Sequence, residues 1–168
     1  KIVSSNISNY DLKSWIGWLN DKEVTKYSGQ RFSKHTLSTQ KKFIKQKLAI
    51  KNSAIFKIYC NNLFVGVIEL GNIDLKNQNC EIMYFVGNRN YWSKGVATKA
   101  INLCIDYAKK KKIHKIFAGV YGNNISSIKV LMKNKFKIEG KLTNFYNFKV
   151  KKKQIRIPKI ILGLNLKR

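Results

Sequence analysis

Between an apolar strand-like run and a helical pattern the sequence reads YWSKGVATKAI, residues 91–101. Ser93, Lys94, Gly95, Val96, Ala97 and Thr98 put small residues, one glycine and one positive charge where a helix begins. The first backbone N–H groups of a helix have no acceptor within it and lie at the positive end of its dipole. A strand that passes through a short small-residue loop into such a helix start aims those donors at one point. That is an anion cradle, and a pyrophosphate suits it. Gly95 permits close approach of the backbone to a ligand, Ala97 keeps the first turn narrow, and Ser93, Lys94 and Thr98 add donors or charge. The alternative is a plain strand-to-helix connection with an incidental glycine. The spacing is neither G-x-x-x-x-G-K-[ST] nor G-x-G-x-x-G.

The elements that would position this turn follow from periodicity. DLKSWIGWLND (11–21) spaces Leu12, Trp15, Ile16 and Leu19 at three and four residues, and TLSTQKKFIKQKLAI (36–50) does so with Leu37, Phe43, Ile44 and Leu48, so both are predicted helices. AIFKIYC (54–60) and LFVGVIEL (63–70) are predicted strands around Asn61-Asn62, two residues that tolerate positive φ and suit a tight hairpin. CEIMYFVG (80–87) makes a third strand. The helix after the cradle, the strand KIFAGVYG (115–122) and the helix SSIKVLMKNK (126–135) follow, then closing strands in FKIEGKL and IRIPKIILGL, where Pro158 implies an edge or a bulge. The expected fold is α/β: one domain over 1–168, a mixed central sheet of about six to seven strands flanked by helices.

Composition restricts what such a domain does. At 168 residues the chain is long enough to bury a core without staples. Cys60, Cys80 and Cys104 are odd in number, far apart and set in apolar patterns, which reads as buried thiols and not as a zinc cluster or disulfide frame; no metal is expected. No apolar run approaches a membrane span, and KIVSSNISNY lacks the apolar core of a signal peptide, so a cytoplasmic location is expected. The 34 Lys and Arg against 8 Asp and Glu give a net charge of +26. The excess is mainly lysine spread along the chain together with much Asn and Ile, a pattern that AT-rich coding produces. The dense runs at 109–112 and 149–153 read as solvated faces. A field that attracts anionic ligands is expected in place of a specific nucleic-acid partner.

The element order, together with YWSKGVATKAI, GNNISSIKVLMKNKFKIEG and VGVIELGNIDLKNQNCEI, resembles the GNAT superfamily of acetyl-CoA-dependent N-acetyltransferases from about Asp11 onward. The likeness is to the branch of ribosomal-protein N-terminal, spermidine and amino-sugar acetyltransferases. In the family's Q/R-x-x-G-x-G/A loop the fourth and sixth positions are Gly95 and Ala97, and the first is Trp92. The resemblance implies acetyl-CoA as co-substrate and splayed central strands. Backbone groups of Phe85, Val86 and Gly87 would meet its pantetheine arm, and Trp92 through Thr98 its pyrophosphate. Asn124 and Ser127, in the N-x-x-S that opens the next helix, would touch the pantetheine or thioester. Their other reading is N-capping.

The chemistry implied is acetyl transfer to a primary amine. It requires a proton acceptor for the amine, a stabilised oxyanion and a proton for the departing thiolate. Many members carry a Tyr seven residues after the helix-opening Asn as general acid, and here that residue is Leu131. Ser127, or a water held by Asn124, is the expected substitute. Glu81 is the expected base, since strand alternation sets it beside Met83 and Phe85 and carboxylates are scarce; Glu69 is the second choice. Pairing of Glu81 with a cation is the alternative.

In this branch the loop after the first helix covers the acceptor cleft, and here it is EVTKYSGQRFSKHT (23–36). Tyr27, Gln30, Arg31 and His35 offer an aromatic face, an amide, a guanidinium capable of two-point phosphate binding, and an imidazole. The alternative is lid packing by Tyr27 and Phe32 with His35 beside the helix cap. The loop resembles those of amino-sugar acetyltransferases, which implies an anionic, nucleotide-linked amino sugar as acceptor. A protein N-terminus, or a non-catalytic binding module, is the alternative, and a homodimer stays open.

Overall fold

The computed structural model describes residues 1–4, 9–49, 52–150 and 153–166. Its elements run β1 (Ile2–Ser4), α1 (Asn9–Asn20), α2 (Lys22–Thr25), α3 (Leu37–Ala49), β2 (Ala54–Cys60), β3 (Leu63–Asp74), β4 (Asn79–Val86), α4 (Val96–Lys110), β5 (Lys115–Tyr121), α5 (Ile125–Lys133), β6 (Lys137–Val150) and β7 (Lys153–Asn165). Seven strands form one mixed sheet in the order β1-β2-β3-β4-β5-β7-β6. The predicted α/β fold is present. The short β1 is an addition, and Ile50, Lys151 and Lys152 of the predicted helix and lysine run lie outside the described residues.

Two apolar layers cover the sheet. On one face α1 places Leu12, Trp15 and Leu19 with Ile44 of α3 against Ile55, Phe64 and Val67. On the other, Ala100, Ile101, Cys104, Ile105 and Ala108 form the buried stripe of α4 against Ile68, Leu70, Cys80, Ile82 and Ile116. The three- and four-residue spacing of both stripes is what the helix period demands of a one-sided helix. Burial pushes the thiols of Cys80 and Cys104 up to about 11 and about 12, so both stay protonated at neutral pH. Asp11 of α1 accepts from Lys57 Nζ of β2 at 2.8 Å, both side chains nearly buried. Among the described residues no helix is long and apolar enough to cross a membrane.

Asn61 and Asn62 turn β2 into β3 with φ of 48° and 60°, the left-handed pair that a two-residue hairpin requires. Pro158 sits in an interior strand, opposite an irregularity in β6 where pairing skips from Leu142 to Tyr146. The bulge of the two sequence alternatives is therefore the correct one. It spares the ladder a missing N–H, and it extends β6 to Val150, well beyond the predicted FKIEGKL.

β4 and β5 are parallel neighbours that pair only at Asn79↔Lys115, Cys80↔Ile116 and Glu81↔Phe117. Beyond Glu81 they diverge, which opens the sheet beside the end of β4. The expected splay is at this point.

Candidate active site

The main-chain groups in the gap follow from hydrogen-bond parity. Gly87 N–H donates to Val65 O at 2.8 Å across to β3, while Gln78 O accepts from Lys115 N–H on the β5 side. Antiparallel and parallel ladders alternate the side to which successive residues point, so Ile82, Tyr84 and Val86 turn their N–H and C=O groups towards the gap. Of the three residues expected to meet a pantetheine arm, Phe85 and Gly87 are thus committed to β3. Val86 O is taken too, by the Trp92 indole N–H at 2.6 Å. The usable groups lie at Ile82 and Tyr84 and at the N–H of Val86. Gly87 has a packing role instead, since a Cβ there would overlap the Trp18 ring.

After β4, Asn88 caps a short 3-10 turn, Arg89–Tyr91, by accepting from Asn90 N–H. Ser93 (φ 58°) and Gly95 (φ 73°) are both left-handed and flank Lys94, so the backbone curls into a concave nest of amides. Gly95 is the N-terminal cap of α4 and supplies no side-chain bond. Lys99 N–H is the first to bond within the helix, to Gly95 O at 3.1 Å, which leaves the N–H groups of Val96, Ala97 and Thr98 pointing out of the helix end. A Cβ on Gly95 would meet nothing within 4 Å, so the loop is open at that residue. Lys94 Nζ lies 5.8 Å from the Tyr91 ring. These groups fit the pyrophosphate of a nucleotide cofactor. Elsewhere, at the turn from β5 to α5, Asn123 Oδ1 is buried with no hydrogen-bond partner among the described residues.

Asn124 caps α5, its side chain accepting from Ser127 N–H at 3.2 Å. Ser127 Oγ lies 2.8 Å from Tyr84 Oη, and burial pushes that phenol up to about 12. Leu131, where the resemblance leads one to expect a tyrosine, is fully buried in the core. The two hydroxyls are the protic groups that α5 and β4 bring together on the α4 and α5 side of the gap.

Glu81 is on the opposite face, at the last paired position before the strands part. Its carboxylate accepts from Asn72 Nδ2 at 3.1 Å. Among the described residues no cation lies within ion-pair distance of it, although the chain carries 34. Glu69, opposite Met83 on β3, differs: Lys47 of α3 binds its Oε1 at 2.7 Å. Glu69 is thereby held as a structural ion pair, and Glu81 is the carboxylate with lone pairs to spare.

The lid folds over the same face. Asn20 donates to His35 O at 2.8 Å and accepts from His35 N–H at 3.0 Å, which pins the far end of the loop to α1. The His35 ring meets Gln30 O at 3.0 Å, so it is engaged within the lid, while the Gln30 side chain is exposed. Tyr27 stacks on Phe148 at 5.7 Å and 12°. Arg31 Nη1 donates to Tyr121 Oη (2.8 Å) and Ser28 O (2.9 Å), and Nη2 to Asn147 O (3.3 Å). The guanidinium expected to clamp a phosphate at two points instead ties the lid to β5 and β6.

A family model for the acetyltransferase (GNAT) domain matches residues 4–137. The chain belongs to the GNAT acetyltransferase family. A curated relative, the uncharacterized N-acetyltransferase p20 of Bacillus licheniformis, is 37% identical over 82 residues, 48% of this chain and 46% of that one. The match therefore spans about half of that relative's length. The fold superimposes on spermidine N-acetyltransferase from Vibrio cholerae, solved with CoA and spermine, with a TM-score of 0.83 at 16% identity over 98% of this chain and 94% of that one. The microcin C7 self-immunity acetyltransferase MccE, solved with acetyl-CoA and AMP, gives 0.81 at 20% identity over 99% and 93%.

Three residues of the candidate site were not singled out from the sequence. Tyr84 shares an alternating face with Cys80 and Ile82, which reads as core. Tyr121 and Tyr146 stack at 3.6 Å and 8° across β5 and β6, and FYNF (145–148) was the one available signal. Burial, then Tyr121 and Glu81, raise the Tyr146 phenol, with Arg31 opposing. That coupling sets Glu81, the aromatic stack and the lid guanidinium in one neighbourhood.

Proposed function

We propose that this GNAT chain transfers the acetyl group of acetyl-CoA directly to a primary amine. The observation that carries the reading is the gap between β4 and β5, with the free N–H groups of the α4 start at one end, a carboxylate that has no ion-pair partner among the described residues on one face and a hydroxyl pair on the other. Val96, Ala97 and Thr98 N–H groups hold the pyrophosphate, and main-chain groups of Ile82 and Tyr84 run along the pantetheine. Bound acetyl-CoA supplies the activated thioester. The amine enters from the lid face, and Glu81 takes its proton, directly or through one water, as nitrogen attacks the carbonyl carbon. Departing sulfur on the other face receives a proton from the Ser127–Tyr84 pair, which replaces the tyrosine missing at Leu131.

For the acceptor we infer an anionic amine, with a nucleotide-linked amino sugar of a surface-polysaccharide pathway as the specific form. The net charge of +26 repels polycations such as spermidine and attracts anions. Half-buried Tyr146, stacked on buried Tyr121, gives a flat ring or base one aromatic face to lie on. AMP accompanies acetyl-CoA in the structure of MccE, a nucleotide held on this same fold.

Thiol release from acetyl-CoA, followed with amino sugars, peptides and polyamines in turn, tests the reading. Transfer to an amine with no turnover of polyamines is expected. Acetyl-CoA binding without turnover of any amine would assign the chain to a non-catalytic module.

A further inference from the structure

Gly119 of β5 stands on the face of Glu81, two residues beyond that residue's partner Phe117. Its φ is not in the left-handed region, so the backbone does not call for glycine there. A Cβ at this position would come within 2.9 Å of Lys159 Nζ and closer still to Cε. Lys159, paired with Tyr121 across β7 and β5, thus lies flat over Gly119 on the sheet face that carries Glu81, with Nζ 5.1 Å from the centre of the Phe145 ring. A lysine at the surface ordinarily extends its ammonium into water. Among the described residues no carboxylate lies within ion-pair distance of Lys159, so no acid draws it inward.

We propose that Lys159 reads the anionic group of the acceptor and sets the preference of this site against polycationic amines. The proposal rests on the acetyl-transfer reading and adds the residue that selects the substrate. Two strand residues separate the level of Glu81 from that of Gly119, about 7 Å at roughly 3.3 Å per residue. An acceptor with its amine at Glu81 and a phosphate or carboxylate one sugar ring away meets the ammonium of Lys159. A spermidine-like chain brings a second ammonium to the same place and is repelled. Unpaired lysines are the rule in a chain with 34 cations and 8 acids; the inward course over a side-chain-free residue distinguishes this one.

The test uses paired probes, glucosamine with glucosamine 6-phosphate and ethanolamine with phosphoethanolamine, in wild type, Lys159→Met, Lys159→Arg and Lys110→Met. Wild type is expected to favour the phosphorylated member in kcat/KM. Lys159→Met reduces that preference about ten- to a hundredfold, the worth of one charge-assisted hydrogen bond. Lys159→Arg retains most of it, and Lys110→Met, which removes an equal charge at the end of α4, leaves it intact. Calorimetric binding of the same amines to the CoA-bound protein gives a readout independent of turnover. Equal discrimination in wild type and Lys159→Met, in both assays, overturns the role of Lys159. Failure of every amine to release thiol, with Lys159-dependent binding retained, overturns the catalytic reading alone.

Discussion

Tyr84 Oη of β4 and Ser127 Oγ of α5 lie 2.8 Å apart, bridging the side of the gap opposite Glu81. If this pair protonates the leaving thiolate, Ser127→Ala and Tyr84→Phe each lower kcat about 10²- to 10⁴-fold with little change in acetyl-CoA affinity, the range of general acid catalysis. The double variant loses little more than either single one, because the two hydroxyls act as one unit. Single-turnover kinetics with calorimetry check this; additive losses would separate their roles.

The same phenol predicts a stability effect. Burial raises it from 10.0 to about 12, so the unfolded chain gives up the Tyr84 proton first as pH rises. Its contribution is whole below about pH 10 and is lost as pH climbs towards about 12. Urea midpoints at pH 9 and pH 11 are expected to fall further apart in wild type than in Tyr84→Phe. An equal fall in both would exclude a perturbed Tyr84.

Glu81→Gln keeps the shape of the side chain and its contact with Asn72 while removing the proton acceptor. The expected loss in kcat is several tens-fold or more, steepest at low pH where the amine is hardest to deprotonate. Glu69→Gln, whose native partner is Lys47, is expected to lower the melting temperature and not the slope of the rate-pH profile. A flat Glu81→Gln profile in a folded enzyme transfers the base role to water.

Gly95→Asp places a carboxylate at the N-cap beside the free N–H groups of α4 and forces an L residue to φ 73°. Acetyl-CoA binding is expected to vanish. Gly95→Asn separates the causes, since it tolerates the left-handed conformation without the charge; it should keep most of the affinity. Full binding by folded Gly95→Asp would falsify the cradle.

The geometry of the α4 start was legible because its cause is local: a glycine and small residues before a helical pattern are written consecutively in residues 93–98. The core stripe of α1 was legible for the same reason, a period within one element. Glu81 was legible only as a face, and whether a cation pairs with it depends on where 34 lysines and arginines end up. Tyr84 read as core because its partner is 43 residues away on α5. Lys159 and the Tyr121–Tyr146 stack depend on how β5, β7 and β6 pair, and the bulge opposite Pro158, with Asn144 at φ 54°, hides the continuation of β6 from any period-two reading.

Arg31 carries the last prediction, and it reverses the expectation drawn from residue type. The guanidinium donates to Tyr121 Oη, Ser28 O and Asn147 O and lies 4.3 Å from the Phe32 ring and 5.5 Å from the Phe148 ring. Those contacts join the lid loop to β5 and β6, so Arg31→Ala releases the lid from both strands while Asn20 and His35 still hold its far end to α1. A phosphate clamp would lose acceptor affinity alone, with strong salt dependence. A tether predicts instead a lower melting temperature, higher KM for the acceptor and faster proteolysis within 23–36, each weakly dependent on salt because the acceptors are neutral oxygens. The cost is on the order of 1.5 to 3 kcal/mol, as for hydrogen bonds from a charged group. Arg31→Lys recovers little of it, since an ammonium cannot reach two strands from one planar fork. Thermal melts, limited proteolysis and steady-state kinetics on the three proteins decide between tether and clamp: an unchanged melt and intact lid in Arg31→Ala, with acceptor KM raised only at low salt, would restore the clamp.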